Sequence, residues 1–428
     1  MKFSNKGFTL IELIVVMAVF SIIITITGDA FKTILKQTNN LSKSEESNIE
    51  GVIGLEMMRH DLEQGGFGLP HAYDAAIPIT YKEAGYLPAT TYNDATTTSA
   101  TTTSPRVPRA FVAGNNLATV ADGSGATYNV LANTDYLAIK ATSVGASEAS
   151  QRWTYTNYSG TAYGSKPPKI WPGGNLKTSD KVIMLRRTFA NGTYVNQLAY
   201  DTASPSIYWV THSNSGYVPE FSPATPEEII FEYGITSSGG LGMPFNRVDY
   251  FVAKPTVADK LPTTCAPNTG VLYKAAVNHT TSNPGGTLNY MPILDCVADM
   301  QIVFGWDLAD SSGTIEGDPL KTADGQIDTW SNADGTTVSG VGTVAQVQTA
   351  MTDAGHVRTK LKIVKVMLLA QIGRKDSGYT SITPLQVGEP GEATLSKPGG
   401  FALSSDMLNY RWKVYKLIIK PKNLVSNQ

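Results

Sequence analysis

The stretch "KGFTLIELIVVMAVFSIIITIT", Lys6–Thr27, decides how this chain is built. From Phe8 to Thr27 every residue is apolar or small except Glu12. About 20 residues rising 1.5 Å each cover roughly 30 Å, the thickness of one hydrocarbon core. Lys2 and Lys6 precede the run and Asp29 is the first acid after it, so the N-terminus is expected to stay cytoplasmic and the remainder to be exported. Glu12 is the anomaly, because a carboxylate in a spanning helix costs about 2.5–3.5 kcal/mol on insertion scales. A secretory signal cut after Ala30, at Gly28-Asp29-Ala30, is the alternative, but the run exceeds the usual h-region of about 7–15 residues. Neither such a signal nor a plain anchor has a use for Glu12.

The helix is expected to continue beyond the membrane, because no proline occurs between Phe8 and Leu69. Phe31, Ile34, Leu35, Leu41, Ile49, Val52, Ile53, Leu55, Met58 and Leu62 recur at three- and four-residue steps. Lys36–Ser47 is too polar to be buried in the chain's own core and is expected to be solvated or covered by neighbouring subunits. Gly65-Gly66, with Pro70 soon after, is a stop signal. A helix of about 57 residues would reach roughly 85 Å.

Beyond Gly68 the pattern is of short strands between Gly, Pro, Asn and Thr turns. Strands are predicted at Asp135–Thr142, Asp180–Thr188, Thr193–Tyr200, Glu227–Ile235, Arg247–Ala253, Val297–Trp306, Val357–Ile372 and Arg411–Lys420. "TVAQVQTAMTDA", from Thr343, has a helical face of Val344, Val347 and Met351. The tract Thr96–Ser104 reads as an exposed low-complexity loop. Residues 254–296 read as a long loop stapled near its ends. If the head lies outside the cytoplasm, Cys265 and Cys296 form one disulfide, worth about 3–4 kcal/mol by chain entropy. The fold class is therefore α+β, a long N-terminal helix on a large, mainly antiparallel β head of one or two lobes.

With a net charge of −2 and 16% charged residues, the chain gives no sign of a nucleic-acid partner. Asp307, Asp310, Glu316, Asp318, Asp324 and Asp328 form an acidic patch that weakly suggests calcium. Their spacing does not fit the twelve-residue calcium loop, and a solvated turn between strands is the favoured reading. The histidines are dispersed, no nucleophile elbow occurs, and "GTAYGSKPP", from Gly160, lacks P-loop spacing. Nothing supports enzymatic chemistry, and no cofactor is expected beyond that weak suggestion of calcium. Aromatics such as those of "QRWTYTNY", from Gln151, read as exposed strand residues or as a sugar- or surface-binding set.

Lys6-Gly7-Phe8-Thr9-Leu10-Ile11-Glu12-Leu13 resembles the class III signal of type IV prepilins and type II secretion pseudopilins. The resemblance implies cleavage after Gly7 by a prepilin peptidase and N-methylation of Phe8, which makes Glu12 the fifth mature residue. The new α-amino cation would then lie one turn from a carboxylate, and each charge is cheaper paired than alone. In the family that carboxylate pairs with the terminal amine of the adjacent subunit. "MMRHDLEQGGFG" from Met57, "NTDYLAIKAT" from Asn133, "SDKVIMLRR" from Ser179 and "VADMQIVFGWDLADSSG" from Val297 resemble the PilW-like minor pilins. Typical major pilins have a proline where this chain has Asp29, and their heads are smaller, so the resemblance points to a minor subunit. It implies a leader at 1–7, a membrane-spanning half-helix at 8–27, a periplasmic half-helix at 28–68 and a head at 69–428. It also implies inner-membrane insertion, assembly with other minor pilins and the major pilin in a priming or tip complex, and display on a Gram-negative cell surface. The alternatives are a large J-type pseudopilin, or a tip adhesin or calcium-dependent binding module.

Overall fold

The computed structural model describes residues 9–73, 80–94, 107–121, 123, 128–190, 193–204, 207–256, 261–282, 285–389 and 394–424. Gly7, Phe8 and the Thr96–Ser104 tract fall outside them.

Helix α1 (Leu10–Gln64) runs 55 residues without a break, about 80 Å at 1.5 Å per residue. Thr9 caps its start and Gly65 its end, and Gly66 takes the left-handed φ of +88° that turns the chain out of the helix. The head begins with β1 (Phe111–Gly114), β2 (Tyr128–Val130), β3 (Tyr136–Ala141), β4 (Trp153–Asn157) and β5 (Lys181–Ala190). There follow β6 (Thr193–Leu198), β7 (Val210–Thr211), β8 (Ile229–Thr236), β9 (Asn246–Pro255) and β10 (Gly270–Val277). After β11 (Leu288–Trp306), β12 (Thr329–Asn332) and β13 (Val338–Gly340) come helices α2 (Val344–Thr352) and α3 (Ala354–Lys360). Strands β14 (Leu361–Ile372) and β15 (Arg411–Ile419) complete it.

Two antiparallel sheets result. The large one runs β1-β3-β9-β10-β11-β12-β13, with β2 on β9 and with β14 then β15 on the opposite edge of β11. The small one runs β4-β8-β5-β6, with β7 also on β5. Strand β11 organises the large sheet, pairing β10 through its first half and β14 through its second. One hydrophobic core joins Leu55, Met58 and Leu62 of α1 to Ile183 and Leu185 of the small sheet and to Val248, Met300 and Val366 of the large one.

Two expectations need correction. Residues 254–296 are not one loop, since they hold β10 and the first half of β11. Pro292 argues against a strand by sequence, but it sits at a register irregularity opposite Tyr273, where a missing N–H is tolerated. The strand expected from Val357 begins at Leu361, because Asp353 accepts the His356 N–H and caps α3 first. The segment from Gln151 is mainly the edge strand β4, paired with β8, as its aromatics suggested, with Trp153 and Tyr155 half-buried rather than exposed.

Candidate functional site: the apolar helix and its seat on the head

The upper part of α1 presents apolar side chains on every face. Leu10–Lys32 is long and apolar enough to cross a membrane, and none of it is buried in the protein. Leu10 is 78% exposed and Ile24 56%, whereas Met58 and Leu62 are fully buried. A helix apolar all round requires an apolar surrounding of its own, lipid or other helices.

At the top of this segment Thr9 and Glu12 form a capping box. The Thr9 N–H donates to Glu12 Oε2 at 2.9 Å, the Thr9 hydroxyl donates to the same oxygen at 2.9 Å, and the Glu12 N–H returns a bond to the hydroxyl. The carboxylate is thus folded back over the helix start, toward the position where residue 8 joins. Sequence reasoning assigned the charge to Glu12 but missed Thr9, although a Thr three residues before a Glu is the signature of this motif.

Lower down, one stripe of α1 seats the helix on the head. Gly51 and Gly54 bring the helix backbone against Ile293 and Leu294 of β11, and Leu55, Met58 and Leu62 follow at helical spacing into the core. Polar contacts fix the last turns. Asp61, 3% exposed, accepts from the Tyr250 hydroxyl at 2.6 Å and pairs with Lys274 at 2.6 Å. Burial, reinforced by Asp61, pushes the Tyr250 hydroxyl well above its ordinary pKa, so it stays a donor. Lys422, just beyond β15, pairs with Glu63 at 2.5 Å, and the Gly66 N–H reaches the Lys140 carbonyl at 2.9 Å.

A buried ionic cluster holds the segment after the helix against the large sheet. Lys140 reaches Glu83 at 2.8 Å and also Asp94, Arg109 reaches Asp94 at 2.6 Å, and Arg247 bridges Glu83 at 2.9 Å and Asp249 at 2.8 Å. Burial pushes the Asp94 carboxyl up, but Lys140 and Arg109 outweigh it and hold the group below its ordinary value. Three acids and three bases balance, which is what burial of charge demands. No motif announces this cluster, because its members are scattered from residue 83 to residue 249.

Cys265 and Cys296 are joined in a disulfide across a separation of 31 residues. The acidic patch does not converge. Asp307 pairs with Lys362 at 3.3 Å and accepts the Asp324 and Gly325 N–H groups, while Asp328 accepts those of Leu308 and Ala309. Asp310 closes a turn on Ser312 and Thr314, and Asp318 faces Lys321. Among the described residues, no group of three or more His, Cys, Asp or Glu side chains is placed to hold a metal ion.

Comparison with known families agrees with this anatomy. Residues 2–28 match the prokaryotic N-terminal methylation motif, and residues 249–423 match type IV pilus-assembly protein W. The second match runs from β9 through β15, so it takes in most of the large sheet and the surface that seats α1. Among curated proteins and solved structures, nothing matches the chain. The methylation motif on its apolar helix and the pilus-assembly region in its head together support a PilW-like type IV pilin.

Proposed function

We propose that this protein is a structural subunit without catalytic activity, a minor pilin processed by prepilin peptidase and built into the priming or tip complex of a type IV pilus. Its apolar helix would enter the inner membrane with the head in the periplasm. Cleavage after Gly7 would then leave a methylated Phe8 amine beside the Thr9–Glu12 cap. The observation that carries the reading is an apolar helix that none of the described residues covers, joined to a head with the pilus-assembly region. In the membrane Glu12 would trade its bonds to Thr9 for the terminal amine of a neighbouring subunit, because an ion pair is the better partner where water is absent. Other minor pilins and the major pilin would cover Leu10–Lys32, and the large head favours a terminal position with no identical neighbour above it.

The test is mass spectrometry of sheared surface fibres alongside a Glu12→Ala strain. Expected are a peptide beginning at N-methylated Phe8, at low copy relative to a major subunit, and a Glu12→Ala protein that reaches the membrane but not the fibre. A soluble protein beginning at Phe31 would overturn the proposal. Loss of protein secretion rather than piliation on deletion would replace the pilus by a secretion system.

A further inference from the structure

The β4 face of the small sheet carries half-buried aromatic rings that the pilin role does not use. Trp153 and Tyr155 of β4 lie beside Phe231 and Tyr233 of β8, with Trp171 closing against Trp153 at 5.2 Å between ring centres. The Trp153 and Tyr233 planes are only 26° apart at 6.4 Å, so the two rings offer nearly parallel faces. Phe67, from the turn that ends α1, meets Tyr233 edge-on at 5.3 Å and forms one wall. Between this wall and the rings is a cavity of about 280 Å³. Ligand pockets start at about 300 Å³, so the space suits one or two small rings.

Charge gives the second, independent observation. Arg187, on β5, lines the same cavity. Its guanidinium lies 4.4 Å over the Tyr194 ring, and among the described residues it has no carboxylate partner. Arg358, on α3, lines a neighbouring cavity that shares Leu69 and His71 with this one, and its buried Nε is without a hydrogen bond. His71, also on the cavity wall, senses both: burial first, then Arg358 and Arg187, bring its pKa down to about 3. The cavity therefore has one exposed guanidinium at its rim, a neutral imidazole and an aromatic floor.

We infer that this cleft binds an acidic saccharide, with the apolar C–H face of a sugar ring on Trp153 and Tyr233 and its carboxylate on Arg187. A simple anion would have no use for the rings, and a neutral sugar none for an unpaired guanidinium. Arginine meets a carboxylate with two parallel bonds, which gives orientation as well as attraction. The flat aromatic faces supply contact area at little entropic cost.

Full-length protein in detergent micelles is titrated with trigalacturonate and with neutral maltotriose, following tryptophan fluorescence. Saturable binding of trigalacturonate is expected, with maltotriose weaker by about tenfold or more, as loss of a charge-assisted bond implies. Arg187→Gln should bring the acidic sugar down to the neutral one without changing the melting temperature, since this exposed side chain only stacks on Tyr194. Trp153→Ala should weaken both sugars and Trp153→Phe should keep them. The inference falls if trigalacturonate and a glucuronate trisaccharide both fail to bind, or if Arg187→Gln leaves binding intact. Closure of the cleft by a partner pilin, seen as protection of Trp153 only in the assembled fibre, would also overturn it.

Discussion

Gly54→Ala puts two general effects in opposition. In an exposed helix the change would stabilise by about 1 kcal/mol, because glycine loses more backbone freedom than alanine. In α1, however, the new Cβ would run into the Ile293 carbonyl oxygen and lie 2.8 Å from that carbonyl carbon and 3.0 Å from the Ile293 Cβ. Two of these three atoms belong to the β11 backbone; Ile293 is the extra residue of the register irregularity, and its neighbours Pro292 and Leu294 are both paired with β10, so the strand is held on either side of it. Overpacking costs about 1–3 kcal/mol, and here the upper half applies because helix and strand must separate. The expected net effect is a loss of about 1–2 kcal/mol, a fall of about 2–8 °C in the melting temperature of the head. Near-UV circular dichroism on detergent-solubilised full-length protein measures it. Gly28→Ala is the control, because a Cβ there meets nothing within 4 Å, and the head transition should not move. A Gly54→Ala protein as stable as the parent would refute the close seat of helix on strand.

Replacing Cys265 and Cys296 together by serine should cost about 3–4 kcal/mol by the chain-entropy estimate for a loop of this span, read from urea unfolding of oxidised protein. Lys140→Met should cost about 3–5 kcal/mol, because it leaves Glu83 and Asp94 sharing a buried site with one cation fewer. A loss below 1 kcal/mol would show that water enters the cluster. His279 donates from Nε2 to Asn246, and burial brings its pKa down to about 4. The unfolded chain takes up this proton near pH 6.5 and the folded chain does not, so stability should fall as pH drops from about 6.5 toward 4. His71, whose pKa burial also lowers, adds to the same slope, so His279→Gln should reduce it without abolishing it, and an unchanged slope would assign it elsewhere.

What the sequence determined by itself was the helix and the kind of place it occupies. The run from Phe8 to Thr27, the lysines before it and the stop at Gly65-Gly66 are local signals, and the helix ends at Gln64 as they require. Most strands of the head were legible for the same reason, since alternation and turn residues act over a few neighbours. The short strands β1, β2, β7, β12 and β13, strand β10, the Pro292 half of β11 and the end of α3 were not, because pairing partners and a side-chain cap overrode weak local preference. The tertiary structure alone decided which distant residues meet. The Asp61 anchor, the ionic cluster from Glu83 to Asp249 and the cleft between Trp153 and Arg187 each depend on strands brought together across long sequence separations. No periodicity encodes such neighbours, and the acidic patch shows the converse, as residues close in sequence fold onto separate partners.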